Sequence, residues 1–119
     1  MGRRKRYIAG KIYITNDKVL VGGPGKKRRV VSMGNDKGHM EVRRILSLYD
    51  KNGKKKEKLI PIEKYPDIQR ESGVENKTFR KTISGKFIDE KYLHKTNTRL
   101  NKWDMKKVRA GKMKKIKGN

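Results

Sequence analysis

Few side chains in this 119-residue chain form a familiar catalytic set. Cysteine is absent, which removes disulfides, thiolate metal sites and a cysteine nucleophile. His39 and His94 each stand alone, with no HxxxH or carboxylate spacing around them, and read as surface or loop residues. Asp36 and Glu41 form a lone acidic pair beside a turn and read as solvated. Neither GxSxG nor GxxxxGK[ST] occurs. "GGPGKK" at 22–27 lacks the strand–loop–helix setting and closing hydroxyl of a phosphate loop. No metal site and no cofactor is expected. What remains is cations and hydroxyls, densest in "GKKRRVVSMGND" at 25–36, where Lys26, Lys27, Arg28 and Arg29 precede an apolar run. Arginine is no base at neutral pH, but its planar fork stabilises charge developing on a phosphorane-like centre. RNA brings its own nucleophile, the 2′-hydroxyl, so a protein that cuts it need only position and neutralise.

Composition points to the same kind of partner. Lys and Arg total 35 against 12 Asp and Glu, a net charge of +23. So large an excess repels itself in a compact fold and fits a polyanion, with nucleic acid, RNA before DNA, as the expected partner. Only 32% of residues are hydrophobic, so the core must be thin. No apolar run approaches the ~20 residues that span a bilayer. "MGRRKRYIAG" has a basic start without a following apolar stretch, so no signal peptide and a cytoplasmic location are expected.

The elements that must position these cations are mostly strands. "YIAGKIYIT" (7–15), "KVLVGG" (18–23), "RRVVSM" (28–33) and "MEVRRILSLY" (40–49) read as strands separated by glycine turns, with "GNDKG" as a hairpin turn. The alternation slips near Arg44, which predicts a bulge there or a change of partner sheet. "DKNGKKKEK" (50–58) is a basic turn, and the proline of "LIPIEKY" (59–65) favours a sheet edge. "PDIQRESG" allows one helical turn, and "VENKTFRKTI" (74–83) alternates weakly.

Further on, polar residues at Thr96 to Thr98 offer a helix N-cap, and Leu100, Trp103, Lys107 and Val108 fall at helical spacing. Trp103 reads as the anchor that docks this helix. Tyr13, Tyr49 and Phe79 fit a small core better than base stacking. The expected organisation is a basic arm over 1–6, a mainly β domain over 7–93, a basic helix over 94–111 and a mobile basic tail over 112–119. The domain is expected to be a small SH3-like barrel or a strongly bent antiparallel sheet.

In order and spacing, "GKIYIT", a glycine loop, "RRVVSMGND", "MEVRRILS", a basic turn and "KLIPIEK" resemble the strands of the MazF/PemK toxin family, SH3-like barrels that cut RNA. Arg28 stands at the family's Arg-Pro position with Arg29 in place of the proline. Lys11 replaces the acid of the opening Gly-Asp-aliphatic-aromatic motif. Ser47 closes the next strand, and Ser72 matches the later Asp-Ser-aliphatic strand. The resemblance covers residues 8–92 and implies Arg28 and Ser47 as catalytic residues of a metal-independent endoribonuclease. It also implies a homodimer silenced by an acidic antitoxin. Lys26, Lys27, Arg29, Arg43, Arg44, Lys54, Lys55 and Lys56 are the expected nucleic-acid contacts. A shorter span, "DKVLVGGPGKKRRVVSM" (17–33), resembles a KOW-type element of ribosomal and transcription proteins, which implies binding without cutting.

Overall fold

The computed structural model of the chain describes residues 8–36, 39–56, 58–66 and 68–117, with the backbone alone at 35, 36 and 111–117. The expected arm over 1–6 lies outside the described residues. So do all side chains of the expected mobile tail over 112–119, whose backbone is helix as far as 117.

The fold is mainly β. Strands β1 (Lys11–Asn16), β2 (Lys27–Asp36), β3 (His39–Ser47), β4 (Leu59–Ile62), β5 (Ser72–Glu75) and β6 (His94–Arg99) form one antiparallel sheet in the order β4-β5-β3-β2-β1-β6. The sheet is not closed into a barrel, so of the two expected forms it is the antiparallel sheet that occurs. Its edges are blunted instead. Pro61 lies within edge strand β4, and Lys95 and Arg99 stand on β6, devices that discourage further strand pairing. Gly73 lets β5 pack tightly, because a Cβ there would lie 2.8 Å from Leu59 Cβ and 2.9 Å from Leu48 Cδ2.

Both faces of the sheet are covered. The pairs Ile12↔Val31 and Tyr13↔Val30 place consecutive residues on opposite faces. Tyr13, Val30, Met40 and Val42 pack with Leu20, Phe79, Ile88 and Leu93 on one face. Ile12, Val31, Ile45 and Val74 pack with Ile62, Ile68 and the C-terminal helix on the other. This double cover explains the slip near Arg44. Met40, Val42, Arg43 and Ile45 are all buried without any break in pairing from Arg29↔Ile45 to Ser32↔Val42. The bulge is on β2 instead, where the register shifts between Ser32 and Gly34.

Three segments differ from the sequence reading. Residues 18–21 form a short helix, α1 (Lys18–Val21), in place of a strand. Asp17 O takes the amides of Leu20 and Val21 at 3.0 Å each, and the turn brings Leu20 onto the core. Tertiary burial outweighs β-branched propensity there. The connection onward needs Gly25, at φ +76, where a Cβ would fall 2.1 Å from Asn16 Oδ1. Among the described residues of Pro66–Gly73 there is no helical turn, and Tyr65 and Ile68 exchange backbone hydrogen bonds.

The expected helix over 94–111 is divided. Residues 94–99 are β6, which pairs with β1 and anchors through Thr96 Oγ1 donating to Ile12 O at 2.6 Å. The helix α2 spans Lys102–Lys117, and its cap is Asn101, whose Oδ1 accepts from Asp104 N at 2.8 Å. Leu100, Met105 and Val108 are buried beneath it, each burial contributing roughly 1.5–3 kcal/mol. Trp103 is 64% exposed and does not dock the helix. Buried Asp104 takes the inward position next to it, accepting from Glu63 N at 2.9 Å and from the Tyr65 hydroxyl.

Candidate nucleic-acid interface

At one end of the sheet Lys27 opens β2, Ser47 closes β3 and Ser72 opens β5. Ser47 pairs with Ser72 and Arg29 with Ile45. Pro66, Ile68, Gln69 and Arg70 fold across this end, with Ile68 buried against Ile45 and Val74. Between them opens a cleft of about 600 Å³, lined by Lys27, Arg28, Arg29, Arg70, Ser47 and Ser72. Among the described residues, no carboxylate lines it. Lys27, Arg29 and Arg70 are exposed and make no ion pair with any described residue.

Arg28 is held differently. Strand alternation puts its side chain on the face of Val30 and Arg44, opposite that of Arg29 and Ser47. Its Nη2 meets Asp17 Oδ2 at 3.4 Å, while Nε is buried without an acceptor among the described residues. Asp17 is engaged more closely by Arg44, whose Nη1 lies 3.1 Å from both carboxylate oxygens. Arg44 also forks onto Glu75, with Nε–Oε1 at 2.6 Å and Nη2–Oε2 at 2.8 Å. The Glu75 hydrogen bonds first, and Asp17 after them, push the Arg44 pKa up against the opposing effect of burial.

The hydroxyls are positioned by their own turns. Ser47 Oγ donates to Tyr49 O at 3.1 Å, and Ser72 Oγ donates to Arg70 O at 3.0 Å. Gln69 Nε2 donates to the carbonyls of Tyr65 and Pro66 at 3.1 and 3.0 Å.

Lys27, Arg29 and Ser47 therefore meet at the cleft, which Arg28 borders with its guanidinium turned to Asp17 on the other face, and two of the expected contacts are removed. Arg43 is 1% exposed beneath α2, with Nε donating to Thr78 Oγ1 at 2.9 Å and Nη1 to Val108 O at 3.2 Å. Burial pulls its pKa down, opposed by nearby Glu41. A nucleic-acid role for Arg43 is corrected to a structural one, because its donors are spent inside the protein. Arg44 is likewise spent on Asp17 and Glu75.

Lys26 is exposed beside the cleft, and its carbonyl accepts from Asp17 N at 2.8 Å. Lys54, Lys55 and Lys56 are exposed on an ordered turn in which Asp50 Oδ1 accepts from Asn52 N and Lys54 N. That turn projects from Tyr49, which bridges to Lys55.

Asp17, Gln69 and Arg70 belong to this region but carried no signal in the sequence reading. The β5–β3 pairing, once known, would place Arg70 just past the strand end beside Ser47. His39 stacks on Phe87 at 3.9 Å between ring centroids, and His94 is exposed.

A second polar cluster joins the cleft-side loop to α2. Tyr65 donates to Asp104, its oxygen accepts from Asn101 N at 3.1 Å, and Asn101 Nδ2 donates to Glu63 Oε2 at 2.7 Å. Burial first, then the Asp104 carboxylate, hold the Tyr65 phenol well above its ordinary value. Among the described residues, no cluster of three or more His, Cys, Asp or Glu is placed to hold a metal ion, and no helix is long and apolar enough to cross a membrane. No protein-family model, no curated protein and no solved structure matches this chain.

Proposed function

We propose that the protein binds single-stranded RNA across the Arg28–Ser47 cleft and cuts it by attack of the RNA's own 2′-hydroxyl. One observation carries this reading. Arg28 and Ser47, on separate strands and implied as a pair by the MazF/PemK resemblance, line one cleft whose other cations lack carboxylate partners among the described residues. Lys27, Arg29 and Arg70 supply the electrostatic grip on neighbouring phosphates. Arg28 supports charge on the phosphorane, since its 3.4 Å contact to Asp17 is long enough for a phosphate to compete with it.

In the step itself the 2′-oxygen bonds to phosphorus and the P–O5′ bond breaks. The products are a 2′,3′-cyclic phosphate and a 5′-hydroxyl. Solvent takes the 2′-hydroxyl proton and returns one to the leaving oxygen, because no described residue lining the cleft is a base at neutral pH. The cleavage rate is therefore expected to climb steadily with pH from 6 to 9, without the bell shape of a paired acid and base. An acidic segment of an antitoxin would compete for the same cations, and a second copy of the chain would double the cleft.

A second reading is favoured by the way Arg28 is held. Its side chain shares a face with Asp17 and not with Ser47, which suits a binding module that does not cut. Incubating the protein with a long RNA and mapping product ends separates the two. Discrete cuts with cyclic-phosphate ends, lost in Arg28→Ala with RNA binding retained, are expected. Binding without cuts at any pH would leave the module. Undiminished cutting by Arg28→Ala would remove Arg28 from the chemistry.

A further inference from the structure

The outer face of α2 carries an exposed aromatic that the fold does not use. Trp103 is 64% exposed, with Lys102 Nζ 5.2 Å from its ring centroid. It lines a shallow groove with Glu63, Lys106, Lys107 and Ala110. On the other side of the same helix runs a second groove, where Met105 and Leu100 lie among Arg99, Lys102, Lys106 and Arg109. A bare tryptophan costs solubility when it serves no core, and cations on both sides of it fit one class of occupant.

We infer that this face is a second contact for single-stranded nucleic acid, with a base stacked on Trp103 and phosphates on Arg99, Lys102, Lys106 and Arg109. Every base has a π-face, so such a platform accepts any sequence. Charge complementarity selects the occupant. Asp104 is paired with Lys107 at 3.3 Å, whereas Glu63 is held only by the neutral amide of Asn101 and keeps its charge, so the phosphates belong on the Arg99–Arg109 side, whose lining holds no acid among the described residues. The platform is also close to the cleft. Glu63 borders Trp103 and Pro66 borders the cleft, so at most about 11 Å of backbone separates them. One strand leaving the cleft along Glu63–Pro66 reaches the tryptophan.

The inference rests on single-stranded nucleic acid being the partner, and the test keeps the two claims apart. Trp103 is the sole tryptophan in the chain, so its emission reports this site alone. The probe is a fully 2′-O-methylated, end-labelled oligoribonucleotide, which cannot be cut by 2′-hydroxyl attack. Label anisotropy reads total binding while tryptophan emission reads the platform. Stacking is expected to quench the emission in step with binding, and Trp103→Ala to weaken affinity about tenfold while Trp103→Phe keeps most of it. A duplex of the same sequence and heparin should bind through charge with little quenching. Binding with unchanged emission, or with affinity equal in Trp103→Ala, overturns the platform and leaves the cleft reading intact. No binding by anisotropy at low salt overturns both.

Discussion

Two consecutive-arginine pairs lie on neighbouring strands, and the fold treats them in opposite ways. Arg43 and Arg44 sit mid-strand on β3, Arg28 and Arg29 near the start of β2. In each pair one side chain points to each face of the sheet. Arg29 and Arg43 share a face, yet Arg43 is sealed beneath α2 while Arg29 stands past that cover in the open cleft. Arg28 and Arg44 share the other face and one acceptor, Asp17, which Arg44 holds at 3.1 Å and Arg28 at 3.4 Å. Charge along the sequence does not separate a buried arginine from an open one in this protein. Position relative to the helices and loops that cover the sheet does.

The comparison breaks most directly at Arg43. Arg43→Ala removes two hydrogen bonds at a fully buried site and opens a cavity, an expected loss of about 3 kcal/mol in denaturant unfolding. Arg43→Met fills the space without a charge and should recover much of that loss, since an apolar replacement of similar size avoids the desolvation cost. Equal loss in both variants would mean that the guanidinium hydrogen bonds, and not packing, hold α2 to the sheet.

Arg44→Ala leaves Asp17 and Glu75 without their shared partner and should cost about 2 kcal/mol, less than a fully buried pair because both carboxylates keep some solvent. It should also draw Arg28 onto Asp17. RNA cleavage in a variant that still folds is therefore expected to fall, and Asp17→Asn is expected to raise it relative to Arg44→Ala.

The cover over Arg43 has its own limit in pH. Folded Tyr65 keeps its proton above the ordinary phenol value of about 10, where the unfolded chain loses it. The unfolded state then binds fewer protons, so stability is fully present below pH 10 and falls as pH rises beyond it. Thermal midpoints taken between pH 8 and 11 should show this decline, and Tyr65→Phe should flatten it.

At the open end of the comparison, Arg29→Ala should change stability by no more than ~0.5 kcal/mol. Its effect should appear in binding, as a log–log salt slope on single-stranded RNA shallower by about 0.7.

Much of the sheet was legible because strands leave local marks. The aliphatic runs of β1 to β3 and the edge position of Pro61 follow from residues near one another. The cleft was half legible. Arg28 and Ser47 came from a pattern resemblance, whereas Arg70 and Asp17 enter only through pairings between distant segments. Arg43 and Arg29 look alike in sequence, since α2, which separates them, arrives from the other end of the chain. Trp103 misled for a related reason. A tryptophan at helical spacing from Leu100 reads as core, but Asp104 is drawn inward by Tyr65 and Glu63, and that fixes the helix phase with Trp103 outside.

The measurement that bears most directly on the account is an amide chemical-shift map of the protein titrated with a 2′-O-methylated oligoribonucleotide. The account expects the largest changes at 27–29, 46–47 and 69–72, around the cleft, with Arg43 and its neighbours on mid-β3 nearly still. Changes spread evenly over the basic surface, or centred on mid-β3 with residues 27–29 and 69–72 unmoved, would contradict it.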